Sequence, residues 1–494
     1  MQPASPERRG FPALVALLSL ALPLFLNSAF AEKVALNTPS WLRDGVIYEV
    51  FPRDFSQAGS FNAVTARLDD LKSLGVDVLW LTPVHPIGEK LHKGTLGSPY
   101  AVKDYYAIDS AYGTADDLKR LVSQAHARGM KVLFDLVANH TAWDSVLMTN
   151  RDFYKQDANG NVIAPDPGWS DVAGLNYSNR AVQAYMLGVM KYWIDPNTFD
   201  FDGFRCDVAF GVPTSFWEQA RAELAKIKPD IGMLAEANKP ELMVKAFDLD
   251  YSWPLLSTVN NVIENGASAT SVQACWEQAR REFPDGTLHM RMSDDHDESR
   301  AVARYGLRGA LAASALMFTL DGVPLLYNGM EVGDATESGD PALFEKLPIF
   351  WHPKDRPSPG AVYRSLIALR KSGAPFRNDS VTWLRNSDSN NVVTFMRADD
   401  KNEFVVVINF SNRAEKASVE APHAAEFNPV KIDWRSSRRM DRGNWPHAAQ
   451  FKQVRIDGMP APNGEALNAL HLGAFEWRVY HRHGKDGILA ATAK

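Results

Sequence analysis

The sequence predicts an α/β fold: a (β/α)₈ TIM barrel with a short excursion domain after its third strand and a C-terminal antiparallel β-sandwich. Three observations support this architecture. Short β-rich runs alternate with helical stretches eight times between residues 46 and 370, the pattern of βα units around a parallel sheet. One turn-rich stretch after the third run is too long for an ordinary βα loop. Beyond residue 380, strand-like runs are separated only by polar turns, which is typical of an antiparallel sandwich.

Each unit of the predicted barrel, residues 39–375, pairs one strand with one helix. Several strands are near-continuous apolar runs, as expected when both faces of a parallel sheet are covered. The predicted strands are 46–51, 76–81, 131–137, 202–206, 231–235, 247–250, 289–292 and 324–327. The predicted helices are 64–73, 115–128, 181–193, 215–227, 241–246, 272–282, 301–319 and 361–370.

The excursion is predicted at residues 141–178, on the face of the barrel where the strands end. It contains the turn signals Asp157-Ala-Asn-Gly-Asn161 and Pro165-Asp-Pro-Gly168. The β-sandwich is predicted at residues 380–485, with strands at 392–397, 403–410 and 474–481.

Residues 1–31 resemble a cleavable signal peptide. Arg8 and Arg9 precede an apolar run over residues 11–30, and Ala29-Phe30-Ala31 supplies an A-x-A cleavage signal. An uncleaved membrane anchor is the alternative, but two prolines interrupt the run. We therefore expect a periplasmic or secreted protein that has no membrane contact once the signal is removed. The sequence leaves open whether its two cysteines, Cys206 and Cys275, pair.

The charge balance restricts the class of partner. The 53 basic and 59 acidic residues leave a formal net charge of −6, which argues against nucleic acid because such a partner requires a basic surface. A neutral substrate fits this balance. The oligomeric state is not predicted.

Polar residues gather where four predicted barrel strands end, and barrel enzymes place their active sites there. These residues are Asp135, Asn139, His140, Arg205, Asp207, Glu236, Asp294, Asp295, His296 and Asp297. Taken singly, a carboxylate after a strand is often a helix N-cap, and a histidine is often a satisfied core residue. Together they concentrate buried charge at one end of a barrel, and function explains that cost better than stability does.

Two of the carboxylates are expected to titrate differently. Arg205 and Asp207 are two residues apart, so both face the barrel axis, and the arginine is expected to lower the pKa of Asp207. Glu236 follows the apolar Met233-Leu-Ala235, which is expected to raise its pKa and suit it to proton donation. One attacking and one protonating carboxyl are the machinery of retaining glycoside hydrolysis.

These strings closely resemble the motifs of glycoside hydrolase family 13, the α-amylase family. The four regions correspond to Asp135-Leu-Val-Ala-Asn139-His140, Gly203-Phe-Arg205-Cys-Asp207, Glu236 and His296-Asp297. Flanking matches are Gly45-Val-Ile-Tyr-Glu-Val-Phe-Pro52, Leu175-Asn-Tyr177 and Gly322-Val-Pro-Leu-Leu-Tyr-Asn-Gly329. The resemblance extends from about residue 39 to the C-terminus and is closest to secreted or periplasmic bacterial α-amylases.

The resemblance implies a role for each catalytic carboxylate. Asp207 would attack the anomeric carbon and form a glucosyl-enzyme ester. Glu236 would protonate the departing oxygen and then deprotonate water, which requires the two carboxyl groups to lie about 5–5.5 Å apart. Asp297 would bind hydroxyls of the sugar at the cleavage point and favour its distorted shape.

Four further residues are implied to bind substrate. Arg205 would orient Asp207, while His140 and His296 would hydrogen-bond the sugar at the cleavage point. Tyr100, in the string from Ser98 to Tyr105, would stack on the face of that sugar.

The chain departs from the family where many members bind calcium between barrel and excursion. Asn139 would be one ligand, but the position of the usual aspartate is Gly174. A hard cation needs more oxygen ligands than this, and only Asp171 lies near enough in sequence to substitute. We expect no required metal, with calcium at Asn139 as the alternative.

The preferred linkage also stays open. Val208 after the nucleophile is frequent in relatives that act on α-1,6 bonds, although a β-branched residue also suits a strand end. The Lys-His pair that commonly follows the nucleophile is replaced by Phe210-Gly211. Longer glucans could contact Trp143, Trp169 or Trp253 instead, although each is as easily explained by packing.

The sequence therefore predicts a retaining hydrolase of α-1,4-glucosidic bonds in starch-like glucans or maltooligosaccharides. The alternatives within the family are an α-1,6-active or cyclodextrin-active hydrolase, and a transglycosylase such as a glucanotransferase or a sucrose- or trehalose-active enzyme. A catalytically inactive glucan-binding barrel is disfavoured because all three carboxylates are retained.

Overall fold

A computed structural model describes residues 34–336, 339–351, 358–433 and 466–483. The predicted signal peptide, residues 1–31, lies outside the described residues, as does part of the predicted β-sandwich. Within the described ranges, no helix has both the length and the apolar character needed to cross a membrane.

The strands of the described ranges carry most of the predicted site residues at or just beyond their ends. They are β1 Ile47–Val50, β2 Val78–Leu81, β3 Lys131–Val137, β4 His140–Ala142, β5 Val172–Gly174, β6 Gly203–Asp207, β7 Gly232–Ala235, β8 Leu249–Tyr251, β9 Leu288–Arg291, β10 Val323–Tyr327, β11 Thr382–Trp383, β12 Val392–Ala398, β13 Asn402–Asn409, β14 Glu415–Ala417, β15 Asn428–Pro429, β16 Leu470–Leu472 and β17 Trp477–His483.

The described helices alternate with these strands. They are α1 Ser40–Arg43, α2 Phe61–Thr65, α3 Leu68–Leu74, α4 Ala115–Ala127, α5 Arg180–Ile194, α6 Thr214–Leu224, α7 Trp253–Asn265, α8 Thr270–Glu282, α9 Ala301–Thr319, α10 Asp340–Phe344 and α11 Gly360–Lys371.

Eight parallel strands close into a barrel in the order β1-β10-β9-β8-β7-β6-β3-β2. All eight predicted barrel strands are confirmed, and their bounds differ from the prediction by at most two residues. Apolar side chains fill the interior below the strand ends, among them Leu133, Leu234, Leu249 and Met290. The barrel is therefore a packed core rather than a pore.

Two helix predictions require correction, and one long helix was not predicted. The predicted helix 64–73 is two helices, α2 and α3, because Arg67 between them has a non-helical φ of −106° and ψ of 4°. The predicted helix 241–246 is a single 3₁₀ turn, Pro240–Met243. Helix α7 was not predicted, although Pro254 in its first turn and the left-handed Gly266 after its end are ordinary start and stop signals.

The excursion is small. Strands β4 and β5 pair antiparallel, with His140 opposite Gly174, and two 3₁₀ turns, Val146–Thr149 and Arg151–Phe153, follow β4. The first residue of β4, His140, lies at the mouth of the barrel, 3.8 Å from Asp207. The domain boundaries drawn from the sequence stay predictions.

The C-terminal part contains a five-stranded sheet of order β11-β12-β13-β17-β15 and a two-stranded sheet, β14-β16. Apolar residues from both sheets form one cluster that includes Val405, Val407, Val419 and Leu470. The predicted C-terminal antiparallel sheet structure is therefore confirmed.

One buried arginine connects this sheet to the barrel, and a second holds the 3₁₀ turn that precedes the sheet. Arg397 on β12 donates from Nη1 to the carbonyl of Thr319 at 2.9 Å, where α9 ends. Arg370 on α11 donates to the carbonyl of Gly322 at 2.8 Å and to that of Phe376 at 2.7 Å. Burial lowers the pKa of Arg370 to about 9 and that of Arg397 to about 10.

Both cysteines are unpaired. Cys206 is buried among the side chains that face the helical layer, as strand alternation predicts for the neighbour of Arg205 and Asp207. Burial raises the pKa of its thiol well above the usual value, so Cys206 behaves as a small apolar core residue.

Candidate active site

Strand register brings the polar residues together at one end of the barrel. Asp135 on β3 lies opposite Arg205 on β6, and Val137 lies opposite Asp207. The backbone N–H of Glu236, the residue after β7, donates to the carbonyl of Cys206 at 3.0 Å. The ends of β3, β6 and β7 thus place two carboxylates and a guanidinium side by side.

Arg205 is the fully buried cation at the centre of this cluster. Its Nη1 donates to Asp135 Oδ1 at 2.9 Å and to Asp207 Oδ1 at 3.0 Å. Its Nη2 lies 2.9 Å from Glu236 Oε2, and its Nε donates to the Tyr251 hydroxyl at 3.1 Å. One guanidinium therefore contacts three carboxyl groups and fixes their relative positions.

Burial and the neighbouring Glu236 carboxylate raise the pKa of Asp207 well above its usual value, and Arg205 only partly opposes them. The expected depression of this pKa is therefore wrong, because desolvation outweighs the ion pair. Burial also raises the pKa of Glu236, against the opposing charge of Arg205, as predicted. Two carboxyl groups this close hold their last proton as a pair.

A strained residue holds Glu236. Val208, directly after Asp207, has φ 44° and ψ 44°, a left-handed conformation that is unfavourable for a β-branched side chain. Its N–H donates to Glu236 Oε2 at 2.7 Å, and the next N–H, from Ala209, donates to the Glu236 carbonyl at 3.1 Å. The strain, which is worth about 1–3 kcal/mol, is typical of functional sites.

His140 forms one wall of the site. Its Nε2 lies 3.8 Å from Asp207 Oδ2, and its ring lies 5.9 Å from that of the half-buried Trp169. Burial and the nearby Lys155 ammonium lower the pKa of His140 to about 3. This imidazole is therefore neutral throughout the physiological range.

His296 forms the opposite wall. Its Nδ1 lies 2.6 Å from Glu49 Oε1, and its Nε2 lies 2.7 Å from the Tyr100 hydroxyl and 3.3 Å from Asp297 Oδ2. Burial opposes protonation of His296, but the Asp297 and Glu49 carboxylates outweigh it and raise its pKa to about 10. The side chain of Asp297 is 44% exposed, so its carboxylate is open to a ligand.

Tyr100 connects the two halves of the site. Its hydroxyl lies 3.1 Å from Asp135 Oδ2, which also accepts from the Trp80 indole at 2.9 Å. Its ring stacks on that of His296, with centroids 5.2 Å apart and planes 16° apart. The Arg205 guanidinium lies 5.5 Å from the Tyr100 ring centroid.

All seven residues predicted to act or bind surround this site: Tyr100, His140, Arg205, Asp207, Glu236, His296 and Asp297. Their chemical roles stay predictions. Three contributors had no predicted role: Glu49 and Tyr251 were not singled out, and Asp135 was named only among the polar residues at the strand ends. Each lies near the carboxyl end of a barrel strand, which is the signal that could have identified it.

The donors present do not fit a calcium site between barrel and excursion. The Asp171 carboxylate lies 3.2 Å from the Lys93 ammonium, and Gly174 has no ligand atom on its side chain. A Cβ added to Gly174 would lie 3.3 Å from the Lys155 side chain, so a cationic side chain occupies that space. Among the described residues, no three acidic, histidine or cysteine side chains are grouped closely enough to hold a metal. Asn139 alone is too little for a hard cation.

The chain is similar to proteins of known class. A family model described as "Alpha amylase, catalytic domain" matches residues 49–398. An α-amylase of Haloarcula japonica is 32% identical over 330 residues, which are 64% of this chain and 48% of that protein. The chain thus spans about half the length of that relative.

Two further comparisons extend over more of both chains. A cyclomaltodextrinase of Geobacillus thermopakistaniensis is 27% identical over 78% of this chain and 72% of that protein. The crystal structure of a maltogenic α-amylase, AmyB, from Thermotoga neapolitana covers 79% of this chain and 91% of that chain, with a TM-score of 0.72 and 31% identity.

Proposed function

The chain belongs to the α-amylase family, and we propose that it hydrolyses α-1,4-glucosidic bonds of starch-like glucans or maltooligosaccharides with retention of configuration. The observation that carries the proposal is the Asp207–Arg205–Glu236 cluster at the end of a closed barrel. It provides a fixed carboxylate, a second carboxyl and one cation between them, which are the groups that a two-step displacement needs.

In the first step, Asp207 attacks the anomeric carbon. Its Oδ1 is held by Arg205, while its buried Oδ2 accepts no hydrogen bond from the protein and is the oxygen that attacks. The new C–O bond forms as the bond to the departing glucan oxygen breaks. The shared proton of the pair passes from Glu236 to that oxygen, so no free alkoxide is released.

In the second step, Glu236 accepts a proton from water while the water oxygen displaces Asp207 from the anomeric carbon. Glu236 Oε2 is fixed by the Val208 N–H at 2.7 Å, which leaves Oε1 to exchange the proton. Two displacements at one carbon restore its original configuration.

The flanking residues bind the sugar at the cleavage point. Asp297 is the most exposed carboxylate of the site and accepts hydrogen bonds from hydroxyl groups of the sugar. His140, neutral and buried, can donate from one ring nitrogen and accept at the other. His296 and Tyr100 form the opposite side of the same pocket.

A cyclodextrin-active hydrolase is the second candidate. Its support is the similarity to a cyclomaltodextrinase over most of both chains. Both candidates use the same covalent step and differ only in which glucans reach Asp207.

We also propose export to the periplasm or the medium, on the evidence of Arg8, Arg9 and the Ala29-Phe30-Ala31 cleavage signal. N-terminal sequencing of protein expressed from the full-length chain tests this proposal. A mature protein beginning at Glu32 supports it, and an intact N-terminus in the cytosol contradicts it.

Product analysis on soluble starch, pullulan, β-cyclodextrin and sucrose tests the substrate class. Maltooligosaccharides from starch support the first candidate, faster turnover of β-cyclodextrin supports the second, and products larger than the substrate indicate transfer. Proton NMR of the first product tests retention, because the α-anomer must appear before mutarotation.

The variant Glu236→Gln tests the mechanism. We expect kcat on starch to fall by about 10²–10⁴, the usual contribution of a general acid–base group. Glu223→Gln, which removes a carboxylate that pairs with Lys191 on the surface of the helical layer, is the matched control and should retain activity. Unchanged turnover by Glu236→Gln would refute the assignment.

A further inference from the structure

Glu49 is a carboxylate inside the barrel that the proposed steps do not use. It lies on β1, opposite Trp80 on β2 and Tyr327 on β10, and it is fully buried. Burying a carboxylate costs several kcal/mol unless a partner compensates it. The partner of Glu49 is His296, whose Nδ1 lies 2.6 Å from Glu49 Oε1.

The second nitrogen of His296 identifies the protonation state of the ring. Its Nε2 lies 3.3 Å from the Asp297 carboxylate and 2.7 Å from the Tyr100 hydroxyl. A neutral ring whose proton faces Glu49 would direct a lone pair at Asp297, which is repulsive. A doubly protonated ring donates from Nδ1 to Glu49 and places its positive charge beside Asp297.

The doubly protonated state of His296 also determines to which neighbour the Tyr100 hydroxyl donates its hydrogen bond. If His296 Nε2 carries a proton, the Tyr100 oxygen accepts that hydrogen bond. The Tyr100 hydroxyl then donates to Asp135 Oδ2 at 3.1 Å, and Asp135 also accepts from Arg205. With a neutral ring, the Tyr100 proton would turn to His296 and leave the Asp135 contact without a hydrogen.

We propose that Glu49 is a positioning residue that holds His296 as an imidazolium, and that this cation orients Asp297 and the Tyr100 hydroxyl for the sugar at the cleavage point. The inference rests on the proposed function for its effect on turnover. The protonation of His296 itself can be measured without any substrate.

The charges around His296 agree with this assignment. Burial disfavours the cation, yet Asp297 and Glu49 together raise its pKa to about 10. Burial likewise raises the pKa of Glu49, and His296 opposes that shift. The titratable and charged groups that face or neighbour the ring are Glu49 on β1, Tyr100 on the loop after β2, Asp135 on β3, Arg205 on β6, Glu236 after β7, and Asp295 and Asp297 on its own loop.

The variant Glu49→Gln tests the proposal, because it keeps the shape and removes the charge. An unperturbed histidine has a pKa of about 6.5. We therefore expect kcat/KM of the variant to fall at least tenfold at pH 8 and to recover to within threefold of the wild-type value at pH 5.5. Glu49→Asp, which retains the charge, should lose less than Glu49→Gln at pH 8.

Glu331→Gln is the matched control. Glu331 is another buried carboxylate near a strand end, where it accepts from the Tyr48 hydroxyl at 2.6 Å, and it makes no contact with His296. This variant should change the pH profile of kcat/KM little. A loss in Glu49→Gln that is equal at pH 5.5 and pH 8 would indicate packing alone and would overturn the proposal.

Histidine-selective ¹⁵N NMR gives a readout that does not depend on activity. The His296 signal is assigned by its absence from the variant His296→Asn. In the wild-type protein it should stay doubly protonated through pH 9, whereas in Glu49→Gln it should titrate at least two pH units lower. A neutral His296 in the wild-type protein at pH 8 would overturn the inference even if glucan hydrolysis is established. Inactivity on every glucan would contradict the proposed function and leave the NMR test valid.

Discussion

The two walls of the cleft each hold one buried histidine, and the two histidines differ in charge: His140 is neutral and His296 is cationic. His140 and His296 are 4% and 1% exposed, so burial is nearly equal. Yet the pKa of His140 is lowered to about 3 and that of His296 is raised to about 10. His140 has the Lys155 ammonium near it, whereas His296 lies between two carboxylates.

This difference shows that neighbouring charge, and not depth, decides what a buried imidazole contributes. A neutral ring can both donate and accept, so His140 adapts to the hydroxyl it meets. A cationic ring only donates, so His296 imposes one direction on each of its hydrogen bonds. The cleft thus combines an adaptable wall with a rigid one.

Replacing the two histidines one at a time should give the largest difference between the walls, measured as the free energy of unfolding. We expect His296→Asn to lower the free energy of unfolding by about 3–5 kcal/mol, because it leaves Glu49 as an unpaired buried charge. His140→Asn should cost about 1–2 kcal/mol, the usual cost of a disturbed buried hydrogen-bonding group. Urea unfolding at pH 7 measures both. Equal losses would contradict the difference between the walls.

The pH dependence of stability should give the second-largest difference between His140 and His296. The pKa of His296 is higher in the folded than in the unfolded chain, so its stabilisation is full below about pH 6.5 and is lost as the pH rises towards about 10. The pKa of His140 is lower in the folded chain, so stability falls as the pH drops from about 6.5 towards 3. Over its whole pH range each effect is worth about 5 kcal/mol, because each folded pKa lies about 3.5 from the unperturbed value of about 6.5.

The Tm measured from pH 4 to pH 10 checks these signs. His140→Asn should flatten the acid side of the profile. The double variant Glu49→Gln with His296→Asn, which removes both charges of that pair, should flatten the alkaline side. If His140→Asn flattened the alkaline side and the double variant flattened the acid side, the charge states assigned to the two histidines would be refuted.

Replacing Lys155 should have a smaller effect than replacing either histidine. Its ammonium is a neighbouring charge that disfavours protonation of His140, so Lys155→Met should raise the His140 pKa by up to about one unit. The His140 ¹⁵N shift measures this change. Lys93→Met, which breaks the contact with Asp171 on the same excursion, is the control and should leave His140 unchanged.

Metal removal should have the smallest effect. Because Gly174 provides no ligand and Asp171 is paired with Lys93, we expect a chelator to leave Tm and kcat within error, and added calcium to leave them unchanged as well. A calcium-dependent rise in Tm of several degrees would show that the His140 wall is organised by a cation other than Lys155.

Much of this arrangement could be predicted from the sequence. Strand periodicity and apolar runs located every barrel strand, because strands buried on both faces leave a continuous signal. Position at the strand ends located six of the seven predicted site residues, whereas Tyr100 was predicted only from the family resemblance. Helix α7 was missed, although Pro254 and Gly266 bound it, because its apolar residues were not recognised as a helical period.

The charge states could not be predicted in the same way. They depend on distances between residues far apart in the chain, such as the 2.6 Å between Glu49 and His296. The prediction for Asp207 failed because the adjacent Arg205 is visible in the sequence whereas the burial of the site is not. The left-handed conformation of Val208 could not be predicted either, because no glycine marks that turn.

The buried Arg397 between the barrel and the C-terminal sheet restricts how this protein can be divided. Arg397 caps the carbonyl of Thr319 at the end of α9, and Phe395 and Ile408 of the sheet belong to the same apolar core as the barrel helices. Truncation after α11 would leave that carbonyl unpaired and expose part of this core. The C-terminal sheet is therefore not a detachable module, and a recombinant fragment ending at the barrel boundary should aggregate rather than fold.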